Sequence, residues 1–358
     1  MQQGAARCGP RCRTRSGSAG PTHHSSSAAP TDLMPGRWLV SAGLLAPVLA
    51  AALLYSAFQI DGPHVEPTTV VVAPGTSLNG IAARLESAGV IRSAMLFEAG
   101  LRLTGVGRRL QAGEYAYPAR ASMWQVADAM ARGQSVLHRI TLVEGITVRE
   151  AVALLQRNEL LTGRLATMPA EGSLFPDTYF FRRGSSRGAI VERAQSRMTE
   201  ILATAWERRV PDLPYQTPEE ALVLASMIEA ETAQEAERRR VAAVFVNRLR
   251  RGMRLQSDPT VLYGMDPDSS RKLSKADLRR PHRWNTYRIR GLPPTPIGIP
   301  GLASIDAAVR PAATDDLYFV ANGSGGHAFA TTLRQHNRNV ARWKALRSRM
   351  QEASNATE

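Results

Sequence analysis

Cysteine and lysine are scarce in this chain of 358 residues. Its only cysteines, Cys8 and Cys12, both lie near the N-terminus, so the rest of the chain can form no disulfide in any redox compartment. Their C-x-x-x-C spacing lacks the second ligand pair of a structural zinc site. The three lysines are Lys272, Lys275 and Lys344, so arginine supplies nearly all of the positive charge.

Several catalytic signatures are missing as well. The sequence contains no H-E-x-x-H zinc motif, no glycine-rich phosphate loop of the P-loop type and no G-x-S-x-G. The formal net charge is +14, but the arginines are dispersed along the chain. Dispersed charge is typical of a solvated surface and not of a nucleic-acid-binding patch. We therefore expect no metal, no cofactor and no nucleic-acid partner.

The N-terminal region contains a segment rich in glycine, serine, proline and arginine, followed by the uncharged run LVSAGLLAPVLAAALLYSAF. The first segment cannot bury enough apolar surface to fold, so we expect residues 1–37 to be a disordered cytoplasmic tail. The apolar run is long enough, at ~1.5 Å per residue, to cross a hydrocarbon core of ~30 Å. It predicts a single transmembrane helix over residues 38–59.

Charge on either side of this run predicts its orientation. Five arginines precede it, whereas Asp61 and Glu66 follow it. The positive-inside rule then leaves the N-terminus in the cytoplasm and everything after residue 60 outside. A cleaved signal peptide is the alternative interpretation, although no clean A-x-A cleavage site follows the run.

Residues 60–67 form a polar linker, and a strand, a Pro-Gly turn and a helix are predicted after it. A capping hydroxyl followed by apolar residues at helical spacing occurs at Ser77, Ser122 and Thr147. Short strand-helix modules of this type resemble the LysM modules that bind cell-wall glycan, and we assign residues 68–160 to such a subdomain. Any capped strand-helix unit would give the same pattern, so a pure scaffold is the alternative.

The segment EGSLFPDTYFF, residues 171–181, is dense in aromatic side chains. Aromatic rings together with a carboxylate suit the binding of sugars. Packing inside the protein explains the same residues, and on residue types alone it is the better explanation.

The stretch from Thr217 to Gly252 predicts two helices in succession. Thr217-Pro218-Glu219-Glu220 is a capping-box start. Thr232-Ala233-Gln234-Glu235 repeats the box, so we expect a second helix to begin there. Glu231 would then lie at the junction of the two helices.

Two carboxylates, Glu229 and Glu231, lie two residues apart in the apolar run MIEAET. At ~100° per residue they point ~200° apart, so one cleft cannot receive both. Relative to Ile228, Glu231 falls on the apolar face and Glu229 at its edge. A carboxyl among apolar side chains has a raised pKa and can act as a general acid. The alternative is that Glu231 caps a helix or pairs with one of three arginines, residues 238–240.

The segments after residue 252 predict loops that present polar side chains to a ligand. MRLQSDPTVLYG offers Gln256 and Asp258, and RWNTYRIRGLPPTPIGIPG offers three residues, Asn285, Thr286 and Tyr287. NGSGGHAFATTLRQHN contributes His327 and His336. Without a carboxylate or cysteine at ligand spacing, we expect hydrogen-bonding roles for the histidines rather than metal binding.

At these residues the sequence resembles the YceG-like family, the endolytic murein (peptidoglycan) transglycosylases anchored in the bacterial inner membrane. The resemblance runs from about Val70 to Trp343. The segments that carry it are EGSLFPDTYFF, LASMIEAET, VFVNRLRRGMRLQSDPTVLYG, NTYRIRGLPPTPIGIPG, AAVRPAATDDLYFVANGSGGHAFATT and HN. Departures are small, such as Ser257 where threonine is common and Gln335 where an acid often precedes HN.

The resemblance implies an α+β fold in three parts. These are an N-terminal membrane helix, a LysM-like subdomain, and a mainly helical or mixed catalytic domain with a lysozyme-like active-site region. We assign residues 161–348 to the catalytic domain and residues 349–358 to a second disordered tail. The implied place is the inner membrane, single-pass, with the catalytic domain outside the cytoplasm, and peptidoglycan synthases or divisome proteins are expected partners.

The implied reaction cleaves the β-1,4 bond between N-acetylmuramic acid and N-acetylglucosamine inside a glycan strand, without water. The family's catalytic glutamate belongs to EAET, which selects Glu231, with Glu229 as the alternative. Such a carbon–oxygen lyase leaves a 1,6-anhydro end and is expected to terminate nascent strands. Candidate sugar-binding residues are Gln256, Asp258, Asn285 and Tyr287. A non-catalytic, membrane-anchored peptidoglycan-binding protein is the alternative function.

Overall fold

A computed structural model describes the backbone of residues 36–265 and 273–355 and the side chains of residues 47–265 and 273–352. The chain divides into two compact units, Met1–Ser56 and Ala57–Glu358. Almost all of the tail predicted for residues 1–37 lies outside the described residues. The second predicted tail, from residue 349, begins inside a helix that continues to Asn355.

Helix α1, Gly36–Gln59, covers the run for which a membrane span is predicted. In the described part of the chain, no helix is long and apolar enough to count as a membrane span. The side chains of residues 36–46 lie outside that part. Membrane anchoring by this helix therefore stays a prediction.

The next region alternates short strands and helices. Its elements are β1 (Thr68–Val72), α2 (Leu78–Ser87), α3 (Ala94–Thr104), β2 (Gly113–Tyr117) and α4 (Met123–Ala131), with a 3-10 turn at Val106–Arg109. β1 and β2 pair antiparallel, with Val70 opposite Tyr115 and both side chains buried. The predicted caps are confirmed, because Ser77 accepts a hydrogen bond from the N–H of Gly80 and Ser122 from that of Gln125.

A second strand-helix region follows. It contains β3 (Leu137–Thr141), α5 (Val148–Arg157), β4 (Thr178–Arg182) and α6 (Arg187–Glu207). The predicted cap at Thr147 is confirmed as a full capping box with Glu150. β3 pairs antiparallel with β4, so this sheet joins residues on both sides of position 160, where a subdomain boundary is predicted. In the aromatic segment, Phe175, Tyr179 and Phe181 are buried, in agreement with packing.

The remaining helices form the largest core. They are α7 (Pro218–Glu231), α8 (Glu235–Arg250), α9 (Asp258–Met265) and α10 (Leu302–Val309), with a 3-10 turn at Asp277–Arg279. Thr217 and Glu220 form the predicted capping box at the start of α7. Leu224 and Ile228 of α7 pack with Phe245 of α8 in one buried cluster. This packing fixes where the last residue of α7 lies.

A hairpin and a long helix complete the described chain. β5 (Tyr318–Ala321) pairs antiparallel with β6 (His327–Ala330), and α11 (Leu333–Asn355) follows. The amide Nδ2 of Asn247 in α8 donates to the carbonyls of Thr314 and Asp316 at 2.7 and 3.0 Å. These bonds attach the segment before β5 to α8.

The predicted α+β class is confirmed. The described residues contain eleven α-helices and three two-stranded antiparallel sheets. Four of the six described strands lie before residue 186, whereas the region after it is mainly helical. The LysM-like character of residues 68–160 stays a prediction.

Candidate active site

Helix α7 ends at Glu231, where the chain turns into α8. Thr232 has an extended backbone, with φ −146° and ψ 130°. Its hydroxyl accepts a hydrogen bond from the N–H of Gln234 at 3.0 Å. The prediction that the second helix begins with a capping box at Thr232 is wrong, because α8 begins at Glu235 without a side-chain cap. The extended residues let Glu231 lie at a corner between two helices, as expected.

Glu229 is held on another face of α7. Its Oε1 accepts a hydrogen bond from Nη2 of Arg238 at 2.8 Å, and its Oε2 accepts one from the backbone N–H of Gly301 at 2.9 Å. The side chains of Glu229 and Arg238 are only 7% and 10% exposed. Both oxygens of Glu229 are thus engaged in a buried, charge-assisted contact that joins α7 to α8 and to the start of α10.

Glu231 has a different environment. Its Oε1 accepts a hydrogen bond from the hydroxyl of Ser257 at 2.5 Å. Burial raises the pKa of Glu231 to about 7, and the negative charge of Asp258 acts in the same direction. The Ser257 hydrogen bond and the positive charge of Arg248 lower it in part. Such a carboxyl exchanges a proton near neutral pH.

The arginines that could have paired with Glu231 have other partners. Arg238 binds Glu229, Arg239 donates to the carbonyl of Arg310 at 2.7 Å, and Arg240 donates to Asp316 at 2.7 Å. The alternative interpretation of Glu231, as the partner of one of these arginines, is therefore not supported by this geometry.

Ser257 is held in place by the loop that contains Thr286. The N–H of Ser257 donates to the hydroxyl of Thr286 at 2.9 Å, and the N–H of Gln256 donates to the carbonyl of Thr286 at 3.2 Å. The hydroxyl of Thr260 donates to the carbonyl of Ser257 at 2.7 Å. Gln256 has φ +54°, a conformation that is uncommon outside glycine and recurs at functional sites. These hydrogen bonds fix the position of the Ser257 hydroxyl, which contacts Glu231.

Glu231 lines an open cavity of about 450 Å³, a size within the range of small-ligand sites. Its walls come from α7, α8, the loops that contain Gln256 and Tyr287, the β5–β6 hairpin and α11. The other lining residues are Arg248, Leu255, Asp258, Phe319, Val320, Ala321, His327, His336 and Val340. The cavity therefore combines one acid of raised pKa with amide, phenol, imidazole and aromatic side chains.

Three of the four predicted sugar-binding residues meet at this cavity. Gln256, Asp258 and Tyr287 line it, and the hydroxyl of Tyr287 donates to Oδ1 of Asp258 at 2.6 Å. Burial and the adjacent Asp258 carboxylate raise the pKa of Tyr287. The phenol therefore keeps its proton and remains a donor to Asp258.

Asn285, the fourth, lies apart from the cavity. Its side chain is fully buried. Its Nδ2 donates to backbone carbonyls, most closely to that of Arg280 at 2.7 Å, and its Oδ1 accepts from the N–H of Tyr287 at 3.0 Å. These bonds fix the loop that carries Tyr287, and the sugar-binding role of Asn285 stays a prediction.

Arg248 is a cavity residue that the sequence analysis did not single out. Its Nε and Nη1 donate to the carbonyls of Leu317 and Leu255, each at 2.7 Å. Burial lowers the pKa of Arg248, while the neighbouring Tyr318 ring and the acid Glu231 act the other way. A signal was present, because Arg248 continues the helical spacing of the apolar residues Val241, Val244 and Phe245 on α8.

The two histidines have different surroundings. His327 Nδ1 lies 2.8 Å from Oε2 of Glu237, whose Oε1 accepts the backbone N–H of His327 at 2.9 Å. The hydrogen-bonding role expected for His327 is thus confirmed. The His336 ring stacks on Tyr318 with centroids 5.1 Å apart. Its Nδ1 is buried without a hydrogen-bond partner among the described residues, and burial lowers its pKa, with Arg248 acting in the same direction.

A larger cavity of about 660 Å³ opens near the start of α7. Glu171 lines it, but its two oxygens accept bonds from the N–H of Val148 at 2.8 Å and the hydroxyl of Tyr263 at 3.1 Å. Burial raises the pKa of Glu171. Because this carboxyl is occupied in joining α5 to α9, the cavity at Glu231 is the better candidate site.

Comparisons with known proteins indicate membership of one family. The YceG-like family matches residues 70–342. The chain is 28% identical over 325 residues to a Bacillus subtilis protein named endolytic murein transglycosylase, covering 81% of this chain and 89% of the relative. It is 27% identical over 338 residues to a Streptococcus pneumoniae protein of the same name and spans 60% of that relative's length.

A solved structure is also similar. It is the crystal structure of a yceG-like protein from Listeria monocytogenes, 29% identical in sequence. The match covers 76% of this chain and 99% of the Listeria chain, with a TM-score of 0.47.

Proposed function

Because this chain belongs to the YceG-like family, we propose that it is an endolytic peptidoglycan transglycosylase. It cleaves the β-1,4 bond between N-acetylmuramic acid and N-acetylglucosamine within glycan strands and leaves a 1,6-anhydro-N-acetylmuramic acid end. The names of the Bacillus and Streptococcus relatives support this activity. We further propose that these cuts terminate the elongation of nascent strands.

The observation that carries the proposal is the Glu231 carboxyl, which lines an open cavity and has its pKa raised by burial to about 7. As general acid, Glu231 donates its proton to the glycosidic oxygen while the bond from that oxygen to C1 of the muramoyl ring breaks. The electron pair of the bond stays with the leaving oxygen, and positive charge develops on C1 and the ring oxygen.

The same carboxyl completes the reaction. The muramoyl 6-hydroxyl attacks C1, and its proton passes to the Glu231 carboxylate, so the enzyme returns to its starting protonation state. A new bond from C1 to O6 closes the anhydro ring and no water is consumed. A group with a pKa near the working pH suits both steps, because it must release and recover one proton in each cycle.

Glu229 is the weaker candidate for this role. Both of its oxygens accept hydrogen bonds from Arg238 and Gly301, and it does not line the cavity. With both oxygens engaged in these bonds, the carboxylate is not available to a glycosidic oxygen. We assign it to the joint between helices.

The cavity also supports roles for three predicted substrate contacts. Gln256, Asp258 and Tyr287 present an amide, a carboxylate and a phenol to the same space, and such groups recognise sugar hydroxyl and acetamido groups. Asn285 acts through the loop that it fixes.

The location and organisation of the protein belong to the same proposal. Residues 38–59 anchor the chain in the inner membrane with a cytoplasmic N-terminus, residues 68–160 form a LysM-like glycan-binding subdomain, and residues 161–348 act outside the cytoplasm. The uncharged run and the arginines before it support this orientation. Peptidoglycan synthases or divisome proteins are the partners that we propose for an enzyme acting on nascent strands.

The test is to incubate full-length protein in detergent with purified peptidoglycan and identify the products by mass spectrometry. We expect 1,6-anhydromuropeptides from the wild type and a large loss of them with Glu231→Gln. Binding to peptidoglycan without any cleavage would support the alternative, a non-catalytic wall-binding protein. Products with ordinary reducing ends would show hydrolysis and contradict the proposed reaction.

A further inference from the structure

A second carboxylate, Asp258, faces the cavity that Glu231 lines. Asp258 directly follows Ser257, whose hydroxyl lies 2.5 Å from Oε1 of Glu231. Glu231 comes from the end of α7 and Asp258 from the first residue of α9. Glu231 and Asp258, which come from different helices, therefore line the same cavity. Glu229, which is close to Glu231 in the sequence, does not line it.

The position of the Asp258 carboxyl is set by Tyr287. The phenol hydroxyl donates to Oδ1 of Asp258 at 2.6 Å, and Asn285 fixes the loop that carries this phenol. A negative charge at the first position of a helix is favourable, and this alone would explain an aspartate there. This favourable charge at the helix start does not require the hydrogen bond from Tyr287. Because Tyr287 itself lines the cavity, the bond holds the Asp258 carboxyl beside the cavity.

The negative charge of Asp258 acts within the cavity. It raises the pKa of Glu231 and, together with burial, that of Tyr287. Among the described residues, no arginine, lysine or histidine forms an ion pair with Asp258. Within the described residues, the direct partner of the Asp258 carboxylate is the neutral phenol of Tyr287, and the Arg248 guanidinium lines the same cavity without forming an ion pair with it. The carboxylate can therefore act on a cationic species in the cavity.

Such a species arises in the reaction. When Glu231 protonates the leaving oxygen, positive charge develops on C1 and the ring oxygen of the muramoyl unit. A fixed negative charge that faces the cavity stabilises the cationic transition state more than the neutral substrate, and this difference accelerates the chemical step.

We propose that Asp258 is a second catalytic residue, whose carboxylate, oriented by Tyr287, stabilises the positive charge on the muramoyl ring without forming a bond to it. The inference rests on the proposed transglycosylase function and deepens it. It changes the one-acid scheme to a division of labour, in which Glu231 moves the proton and Asp258 supplies the counter-charge.

The other charged or titratable groups that line the cavity belong to different elements. They are Arg248 on α8, His327 on β6, His336 on α11 and Tyr287 on its loop. All four side chains are retained in the variants Asp258→Asn and Asp258→Ser, and Tyr287 alone loses a carboxylate to which it donates. A change in the pH dependence of these variants relative to the wild type therefore reports the loss of the Asp258 charge.

The experiment measures kcat and KM for release of 1,6-anhydro ends by the full-length protein, across the pH range in which Glu231 titrates. We expect Asp258→Asn to lower kcat by about 10²-fold with KM nearly unchanged. We also expect the basic limb of its kcat/KM profile to move to lower pH, because the charge that raises the pKa of Glu231 is lost.

Two further variants keep the test decisive. Asp258→Ser keeps an oxygen at the start of α9 and should reproduce the loss in kcat and the pH shift if Asp258→Asn fails to fold. Tyr287→Phe leaves both carboxylates in place, so it should lower kcat by less than Asp258→Asn and leave the basic limb unmoved.

A raised KM with unchanged kcat in both Asp258 variants would overturn the inference and leave Asp258 as a sugar-binding residue. Wild-type kinetics in both variants would overturn it as well. The proposed function fails separately, if the wild type releases no anhydro ends or if Glu231→Gln is as active as the wild type.

Discussion

The last turn of α7 carries two glutamates in contrasting surroundings. Glu229 joins three segments, with one oxygen on the Arg238 guanidinium and the other on the N–H of Gly301. Glu231 contacts the hydroxyl of Ser257 and lines a cavity. Identical side chains two residues apart thus become a structural ion pair and a proton donor, because the helix directs one to a buried arginine and the other to a cleft.

Glu229 and Glu231 also differ in whether a neighbouring cation compensates the charge of the carboxylate. The Arg238 guanidinium compensates the buried charge of Glu229, whereas the carboxyl of Glu231 contacts the neutral hydroxyl of Ser257. Burial without a paired cation raises the pKa of Glu231 to about 7. Four substitutions test this contrast between the helix joint around Glu229 and the cleft around Glu231.

The largest expected effect is on activity, from Glu231→Gln. The amide cannot donate a proton as an acid does, so release of anhydro ends should fall by about 10²- to 10⁴-fold. The thermal unfolding midpoint should not fall, because a carboxyl with an unfavourable desolvation is removed. The measurement is the rate of product release by mass spectrometry, and near-wild-type activity would contradict the assignment.

Glu229→Gln is the matched substitution at the helix joint. It removes the closest carboxylate of the buried Arg238 guanidinium and leaves the more exposed Glu144 at 3.8 Å, so the free energy of unfolding should fall by about 3 kcal/mol. Product release by the folded fraction should stay close to that of the wild type. Denaturant unfolding and the release assay together check this prediction. Loss of activity without loss of stability would reverse the roles of the two glutamates.

Ser257→Ala is expected to have an intermediate effect. The hydroxyl lowers the pKa of Glu231, so its removal should raise that pKa and move the basic limb of the kcat/KM profile to higher pH. The carboxyl also loses a fixed orientation, so kcat should fall by about tenfold. Ser257→Thr keeps a hydroxyl and is the control. A profile unchanged in Ser257→Ala would show that the hydrogen bond does not tune Glu231.

The smallest effect is expected at the other end of the same helix. Thr217→Ala removes the capping hydroxyl of α7 and should lower the free energy of unfolding by about 1 kcal/mol. The kcat/KM profile should keep its shape, because the cap lies far from the cleft along α7. Equilibrium unfolding and the pH profile are the measurements. A shifted pH profile would mean that the protonation of Glu231 depends on the whole of α7 and not on its last turn alone.

Local chemistry made part of this structure predictable. The caps at Ser77, Ser122, Thr147 and Thr217 depend on a few neighbouring residues, and the helical phase of Glu231 follows from its spacing to Ile228. The start of α8 was mispredicted because Thr232 offers the same residue types as a capping box but uses its hydroxyl for a tighter turn.

Contacts between distant segments could not be predicted in the same way. The spacing of Arg248 on α8 indicates a buried face, but it does not reveal the guanidinium's partners, the carbonyls of Leu255 and Leu317. Asn285 is polar and lies in a predicted loop, which suggests a side chain open to a ligand. Its amide instead donates hydrogen bonds to backbone carbonyls of the preceding turn. The pairing of Asp258 with Tyr287 likewise depends on two loops meeting.

The protonation of the Glu231 carboxyl can be observed by NMR. Full-length protein labelled with ¹³C at the glutamate carboxyl carbons is titrated by NMR, and the spectra are compared with those of Glu231→Gln and Glu229→Gln. We predict one resonance that titrates near pH 7, is absent from Glu231→Gln and persists in Glu229→Gln. A wild type in which every glutamate titrates near its ordinary value of about 4.3, or a high-pKa resonance lost with Glu229, would contradict it.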